Sequence, residues 1–197
     1  MANPTDHELI DQARAGNRDA FGVLVQRHQK RIFRLAVHIV RDTTEAEDVV
    51  QETFVRAWQA LDRFEGGSQP FTWLYRIAVN LSLNVLRTRK PREQVPNDDD
   101  PRIDAWLASK SSSGADPSNA AAQKQVAHAL CEGIDRLSDT LRTTLILVCV
   151  DGLPHDTAAA VLGCPEGTVA WRVHEARRKL REHMQARGFE EGWEGRP

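Results

Sequence analysis

The chain has 197 residues, 41% of them hydrophobic and 27% charged, with a net charge of −2. That is enough apolar material for one ordinary domain or two small ones, but no electrostatic excess of the kind that holds nucleic acid tightly without help. No window approaches the roughly 18 uninterrupted apolar residues of a membrane span, and Met1–Glu8 lacks the basic start and apolar run of a signal peptide, so a cytoplasmic protein without membrane insertion is expected. Cys131, Cys149 and Cys164 are odd in number, far apart and without a CxxC pair, which argues against a disulfide framework.

Helical signals run through the first ninety or so residues. Thr5 with Glu8 reads as a capping box opening a short helix to Gly16. From about Asp19 to Val40, Phe21, Leu24, Val25, His28, Ile32, Leu35, Ala36 and Ile39 recur at three and four, the spacing of an amphipathic helix. Thr44 with Glu47 reads as the start of the next helix, with Val49, Val50, Phe54, Ala57, Trp58 and Leu61 inward. After Gly66-Gly67-Ser68-Gln69, Pro70 suits the first position of a helix to about Lys90, buried along Phe71, Leu74, Ile77, Ala78, Leu81 and Val85.

From Glu93 to Ala122 the periodicity breaks. Pro96, Asn97-Asp98-Asp99-Asp100-Pro101, Ser111-Ser112-Ser113-Gly114 and Asp116-Pro117 have the composition of a flexible acidic linker. Helices are then expected over about Ala120–Arg136, Asp139–Val150, His155–Leu162 and Pro165–Ala186. No stretch alternates with period two, so the fold class is all-α: two small helical domains, 1–92 and 123–187, joined by a linker at 93–122 and followed by a tail at 188–197.

Two stretches carry function on their own residues. Helix, Leu162-Gly163-Cys164-Pro165, helix is the layout of a helix-turn-helix, with Gly163 at a left-handed helix end and Pro165 in the first turn of the next. Its second helix offers Thr168, Ala170, Trp171, Arg172, His174, Glu175, Arg177 and Arg178 outside a Val169, Val173, Ala176 and Leu180 stripe, a pattern suited to the major groove. On the Pro70–Lys90 helix, Trp73, Arg76, Asn80, Asn84 and Arg87 step by three, four, four and three along another face. Rings that stack and amides that read base edges suit single-stranded DNA there. Basic clusters at Arg87–Arg92 and Arg172–Arg181, separated by the acidic linker, allow two weak contacts with DNA.

Three runs resemble the extracytoplasmic-function (ECF) sigma factors of RNA polymerase. Thr44–Trp58 (Thr-Glu-Ala-Glu-Asp-Val-Val-Gln-Glu-Thr-Phe-Val-Arg-Ala-Trp) and Phe71–Asn80 (Phe-Thr-Trp-Leu-Tyr-Arg-Ile-Ala-Val-Asn) are similar to region 2, the latter to the envelope-stress members. Gly152–Leu180, through Gly163-Cys164-Pro165-Glu166-Gly167-Thr168-Val169 and Ala176-Arg177-Arg178-Lys179-Leu180, resembles region 4. The resemblance implies a factor that binds core RNA polymerase and directs it to promoters. Asp48, Gln51, Glu52 and Val55 would dock on core. Gly66, Gly67, Ser68 and Gln69 would form the loop that captures a flipped −10 base, beside Trp73, Tyr75, Arg76, Asn80, Asn84 and Arg87. The helix-turn-helix would read the −35 duplex, and an anti-sigma protein is an expected partner.

Several positions depart from that family pattern. Pro154 stands where a polar helix cap is usual, Ala158 where a bulky aliphatic is common, Ala170-Trp171 where a basic residue and Ser often precede Arg172, and Glu175 where Arg is frequent. The usual −35 sequence is therefore not assumed; Trp171 could meet a thymine methyl or the backbone, and Glu175 could accept from cytosine. Other readings are a conventional helix-turn-helix regulator, which would bind duplex without polymerase, and a decoy that titrates a regulator. His155, Cys164 and His174 match no zinc spacing, and no phosphate-binding loop or nucleophile motif is present. No enzyme, cofactor or metal is expected.

Overall fold

The computed structural model describes residues 4–64, 66–67, 69–88, 100–103 and 120–189. Helices account for all the regular structure among these residues. The N-terminal unit contains α1 (Asp6–Arg14), α2 (Arg18–Val40), α3 (Thr43–Gln59), a 3₁₀ turn at Leu61–Arg63, and α4 (Pro70–Thr88). The C-terminal unit contains α5 (Ala120–Asp135), α6 (Asp139–Leu145) continuing as a π turn over Ile146–Val150, α7 (His155–Leu162) and α8 (Glu166–Ala186).

The ends of these helices follow from local chemistry. At α1 the capping box is complete: the Thr5 hydroxyl accepts from the Glu8 N–H at 3.3 Å and the Glu8 carboxylate accepts from the Thr5 N–H at 2.7 Å. Asn17 caps α2 by accepting from the Asp19 and Ala20 N–H groups. The start of α3 differs from the Thr44–Glu47 expectation. Asp42 is its cap, accepting from the Glu45 N–H at 3.0 Å, because its carboxylate already meets the orphan donors two residues earlier. Pro70 is the first residue of α4, and Gly163 ends α7 at φ +63°, so the turn of the helix-turn-helix forms where its glycine permits.

Burial follows the three-to-four periodicity. Leu24, Ile32, Leu35 and Ile39 of α2 meet Phe54 and Ala57 of α3 and Leu74 and Ala78 of α4. Trp58 departs from its expected inward position: it is 39% exposed, its ring edge-on to Phe21 at 5.0 Å. In the C-terminal unit Leu137, Leu141, Leu145, Ala176 and Leu180 form a second core. The principal core does not stop at the unit boundary, since Leu153, Ala158, Val161, Val169 and Val173 of the C-terminal unit belong to the same buried cluster as Leu74 and Tyr75. The two units are closed on one another.

Part of the expected linker is also docked. Pro101–Ile103 make a helical turn; Ile103 packs with Ala127 and Cys131 of α5, and Arg102 is buried. Most of the remaining 93–122 segment lies outside the described residues.

Gly133 sets the spacing between α5 and α8. A Cβ there would stand 2.6 Å from Leu180 Cδ1 and 2.7 Å from His183 Cδ2, and the His183 ring is itself tied to the Ala129 carbonyl at 3.1 Å. Gly133→Val is expected to cost about 1–3 kcal/mol through overpacking, lowering the thermal midpoint by several degrees in a calorimetric scan; an unchanged midpoint would contradict this packing.

Candidate polymerase and nucleic-acid interfaces

The exposed face of α3 collects the residues expected to dock on polymerase. Asp48, Gln51 and Val55 are exposed and Glu52 is half-buried, its carboxylate accepting from Arg56 Nε at 2.7 Å in an i,i+4 pair. Val55 is 48% exposed, and Trp58 extends the same edge with its ring partly uncovered. Sequence periodicity had placed Trp58 inside; it sits at the edge of the stripe, with buried Phe54 four residues before it and exposed Val55 three before it, so local spacing does not decide its side.

The segment before α4 carries Gly66, Gly67 and Gln69, all exposed, with Gly66 at φ +72°, where a side chain would be strained. Ser68 lies outside the described residues. Beside this loop is an open cleft of about 560 Å³ lined by His7, Asp11, Arg14, Asp62, Phe64 and Gly66. Arg14 holds its wall by donating from Nε to the Leu61 carbonyl at 2.9 Å and from Nη2 to the Phe64 carbonyl.

Along α4 the proposed strand-reading residues divide. Asn80, Asn84 and Arg87 are exposed, with Arg87 Nη1 donating to Asn84 Oδ1 at 3.3 Å. Trp73 is half-buried against Phe64, with centroids 5.0 Å apart. Arg76 is exposed but donates from Nη2 to the Ala160 carbonyl of α7 at 2.5 Å. Tyr75 is wholly buried, and its phenol donates to Asp151 Oδ2 at 3.0 Å. Arg76 of the exposed stripe thus touches the C-terminal unit, whereas Tyr75 lies on the buried side of α4, away from that stripe, so its expectation as a base contact is corrected: its ring belongs to the core and its hydroxyl to Asp151.

Asp151 is the centre of that contact. Its carboxylate is fully buried and accepts from Arg34 Nη2 at 2.9 Å as well as from Tyr75, while its carbonyl accepts from Arg31 Nη2 at 3.0 Å. Burial, then the neighbouring Asp151 charge, holds the Tyr75 phenol protonated well above its ordinary range. The π turn places Asp151 here: the Asp151 N–H closes onto the Ile146 carbonyl at 2.9 Å, five residues back.

A second charged junction lies around Asp135, at the end of α5. Arg102 donates to Asp135 at 2.8 and 2.9 Å and to Asp100, and Arg41, which caps the end of α2, approaches Asp135 at 3.4 Å. Burial penalises the Asp100 carboxylate, but hydrogen bonds and charge from Arg102 outweigh it and hold its pKa down. Arg142 faces the same cluster; burial and the Arg41 charge lower its pKa, and it pairs with Asp139. Nearby, burial pushes the Cys131 thiol up to about 11. Neither Asp151 nor Asp135 was singled out by sequence reasoning, which had no signal for a contact between distant helices.

Helix α8, the second helix of the helix-turn-helix, presents its expected residues unevenly. Ala170, Trp171, His174, Arg177 and Arg178 are exposed, with Trp171 at 61%, while Thr168, Arg172 and Glu175 are half-buried. Arg172 Nη1 lies 3.6 Å from Cys164 Sγ and Arg177 Nη2 3.4 Å from Cys149 Sγ. Glu175 accepts from Arg178 at 2.7 and 2.9 Å, and Arg178 also reaches Glu182 at 2.5 Å. Those hydrogen bonds lower the Glu175 pKa. Among the described residues no group of three or more His, Cys, Asp or Glu is placed to hold a metal ion, and no helix is long and apolar enough to cross a membrane.

Comparison with known proteins agrees with this arrangement. The Sigma-70 region 2 family matches residues 24–92, and Sigma-70, region 4 matches residues 129–180. The chain is 36% identical over 190 residues to the RNA polymerase sigma-H factor of Pseudomonas aeruginosa, covering 94% of this chain and 96% of that one. It is 35% identical over 187 residues to the ECF RNA polymerase sigma-E factor of Escherichia coli K12, covering 92% and 95% respectively. The structure of CnrH in complex with the cytosolic domain of CnrY superimposes with a TM-score of 0.68 at 30% identity, covering 93% of this chain and 99% of that one. Two helical units of these kinds, in this order, define a transcription initiation factor. The chain belongs to the sigma-70 family of RNA polymerase sigma factors, in its extracytoplasmic-function group.

His38 of α2 lies between the two junctions, within the fields of Arg102, Asp100, Arg34 and Asp151, and burial lowers its pKa to about 4. The unfolded chain binds this proton first, near 6.5, so the stability contributed by a neutral His38 is complete above about 6.5 and falls as pH drops toward 4. Denaturant midpoints measured between pH 7 and 4 are expected to decline over this window, and His38→Gln is expected to flatten the decline. A mutant with the same pH profile as wild type would contradict this assignment.

Proposed function

We propose that the N-terminal unit docks on core polymerase through Asp48, Gln51, Glu52 and Val55 and captures unpaired −10 bases along the Gly66–Gln69 loop and the Trp73, Arg76, Asn80, Asn84 and Arg87 face. The C-terminal unit reads the −35 duplex through Thr168, Ala170, Trp171, Arg172, His174, Glu175, Arg177 and Arg178. Domain limits of 1–92, 93–122 and 123–187, with a tail at 188–197, serve this division of labour. The observation that supports the reading is the presence of two exposed polar faces on separate units: the amides of Asn80 and Asn84 on α4, and the open face of α8 around Trp171.

The chemistry suits each task. Amides and an aromatic ring recognise splayed single-stranded bases by edge and by stacking. A helix reached through a Gly-Cys-Pro turn enters a groove with its N-terminal residues leading. The protein does no bond chemistry of its own and acts in the cytoplasm without a cofactor. A regulator of the anti-sigma kind would hold it silent; the similar CnrH is itself found in complex with another protein, the cytosolic domain of CnrY.

The test is to mix the protein with sigma-free core polymerase, transcribe a genomic fragment library and sequence the 5′ ends. Discrete starts sharing upstream elements, seen only with both components, are expected. Co-elution with core without starts would favour a decoy, and failure to co-elute would favour a regulator that binds duplex directly. In the same assay Trp171→Ala is expected to change preference at one −35 position by roughly tenfold, the scale of a single base contact, while leaving the −10 element and core binding intact. An unchanged −35 element would remove Trp171 from the reading set.

A further inference from the structure

Along α8, Trp171, Glu175, Arg178 and Glu182 step by four, three and four, so they form one ridge on the outer side of the helix. Within that ridge the Arg178 guanidinium meets carboxylates on both sides. Its Nε and Nη2 donate to Glu175 at 2.9 and 2.7 Å, and its Nη1 donates to Glu182 at 2.5 Å. Each of the three nitrogens thus has a carboxylate partner. A phosphate or a guanine edge is met by two N–H groups along one side of the guanidinium fork, and Glu175 already occupies the Nε and Nη2 side. Arg172 and Arg177 differ, since they contact thiols at 3.6 and 3.4 Å.

We propose that Glu175 and Glu182 are positioning residues that gate Arg178: duplex DNA gains this guanidinium only by displacing their carboxylates, so α8 discriminates against DNA that does not seat it fully. The inference rests on the assignment of α8 as the −35-reading helix. Glu175 then enters −35 reading through Arg178 rather than by accepting from a base.

The exchange is close to balanced. Phosphate and carboxylate offer a guanidinium the same kind of charge-assisted hydrogen bond, and a surface pair is worth little by itself. On a duplex that meets only this ridge, the displaced carboxylates face phosphate, and the like charges offset what Arg178 returns. Where Trp171 and its neighbours also find partners, the helix is already held against the duplex and the exchange goes to completion. The hydrogen bonds from Arg178 hold the Glu175 carboxyl below its usual range, and those to Glu175 hold Arg178 above its own, so both stay charged at neutral pH.

The test uses the full chain and a fluorescent duplex without promoter elements, with binding followed by anisotropy over a series of salt concentrations. The Glu175→Gln, Glu182→Gln double variant is expected to bind roughly threefold to tenfold tighter than wild type at low salt. Its log K is expected to fall more steeply with log salt by about one unit, the share of one further phosphate contact. In an Arg178→Gln background the same two substitutions are expected to give only a small gain, from net charge and from Lys179, which approaches Glu175 at 3.9 Å. The double-mutant cycle isolates the coupling to Arg178. Equal gains in both backgrounds, or no gain in the first, would overturn the gate. So would altered −35 preference in Glu175→Gln with non-specific affinity unchanged, the mark of a base reader. Should the double variant lose far-ultraviolet helicity, Glu182→Gln alone is expected to give a smaller gain that also disappears in the Arg178→Gln background, and its absence would overturn the gate equally. Absence of discrete starts by wild type with core would instead overturn the −35 assignment, so the two failures are distinguishable.

Discussion

A carboxylate with no access to water must find its compensation inside the protein, and the Asp151 carboxylate finds all of it across a unit boundary. Arg34 and Tyr75 come from two helices of the N-terminal unit, while Asp151 follows the π turn of the C-terminal one. None of the three is satisfied this way unless the units meet in one orientation. The surrounding apolar cluster, which joins Leu74 to Leu153, Ala158 and Val161, would tolerate sliding on its own. The buried charge does not, because a displacement of a few ångströms would leave it dry and unpaired, at a cost of about 3–5 kcal/mol. The orientation of α7 over α4, and with it the covering of Tyr75 and Arg76, follows from that requirement.

The same economy of charge governs α8. Its arginines are numerous, yet Arg178 is shared between Glu175 and Glu182, and Arg172 and Arg177 lie against thiols. A guanidinium already paired with a carboxylate, as Arg178 is, releases fewer counterions when it meets phosphate, so it contributes less to non-specific affinity; the thiols beside Arg172 and Arg177 orient those side chains without cancelling their charge. With a net charge of −2 on the whole chain, the free protein has little purchase on arbitrary DNA. Affinity for a promoter then comes from assembly: two weak sites, joined by a tether and mounted on polymerase, gain by effective concentration what neither has alone. On the reading proposed above, specificity is left to exposed uncharged groups such as Trp171, 61% exposed on α8.

Local chemistry was legible in the sequence, and long-range chemistry was not. The helices lie close to where three-to-four periodicity and the Thr5, Pro70 and Gly163 signals put them, because capping and turn preferences act over a few residues. Asp42 rather than Thr44 caps α3, a shift of two residues between equally polar candidates. Trp58 was placed inside because its spacing also fits the buried stripe, and only the crowding of α2 and α3 at Phe21 decides how much of the ring is covered. Docking of Arg102 and Ile103 had no local signal at all, since they sit in an acidic, proline-rich segment whose composition predicts a solvated tether. The π turn was equally silent: Ile146–Val150 reads as ordinary helix, yet the wider turn is what aims Asp151 inward. The face of α4 could be read as a stripe, but the covering of part of it by the other unit is a property of the tertiary fold alone.

The docked turn of the linker also bears on reach. Ile103 packs on Ala127 and Cys131, and Arg102 is bonded to Asp135, so this turn belongs to the C-terminal unit while it is docked. The tether available between the units then runs only from Thr88 to Asp100, a contour of roughly 40 Å when extended. That is little more than half of the roughly 70 Å between promoter elements, whereas the full linker, released, extends to roughly 100 Å. Asp135 is where these parts meet: it takes Arg102 of the linker turn in a bidentate pair at 2.8 and 2.9 Å and Arg41 of the N-terminal unit at 3.4 Å. Arg102 keeps that pair and its bond to Asp100 whether or not Arg41 is present, so the turn is held to the C-terminal unit on its own account.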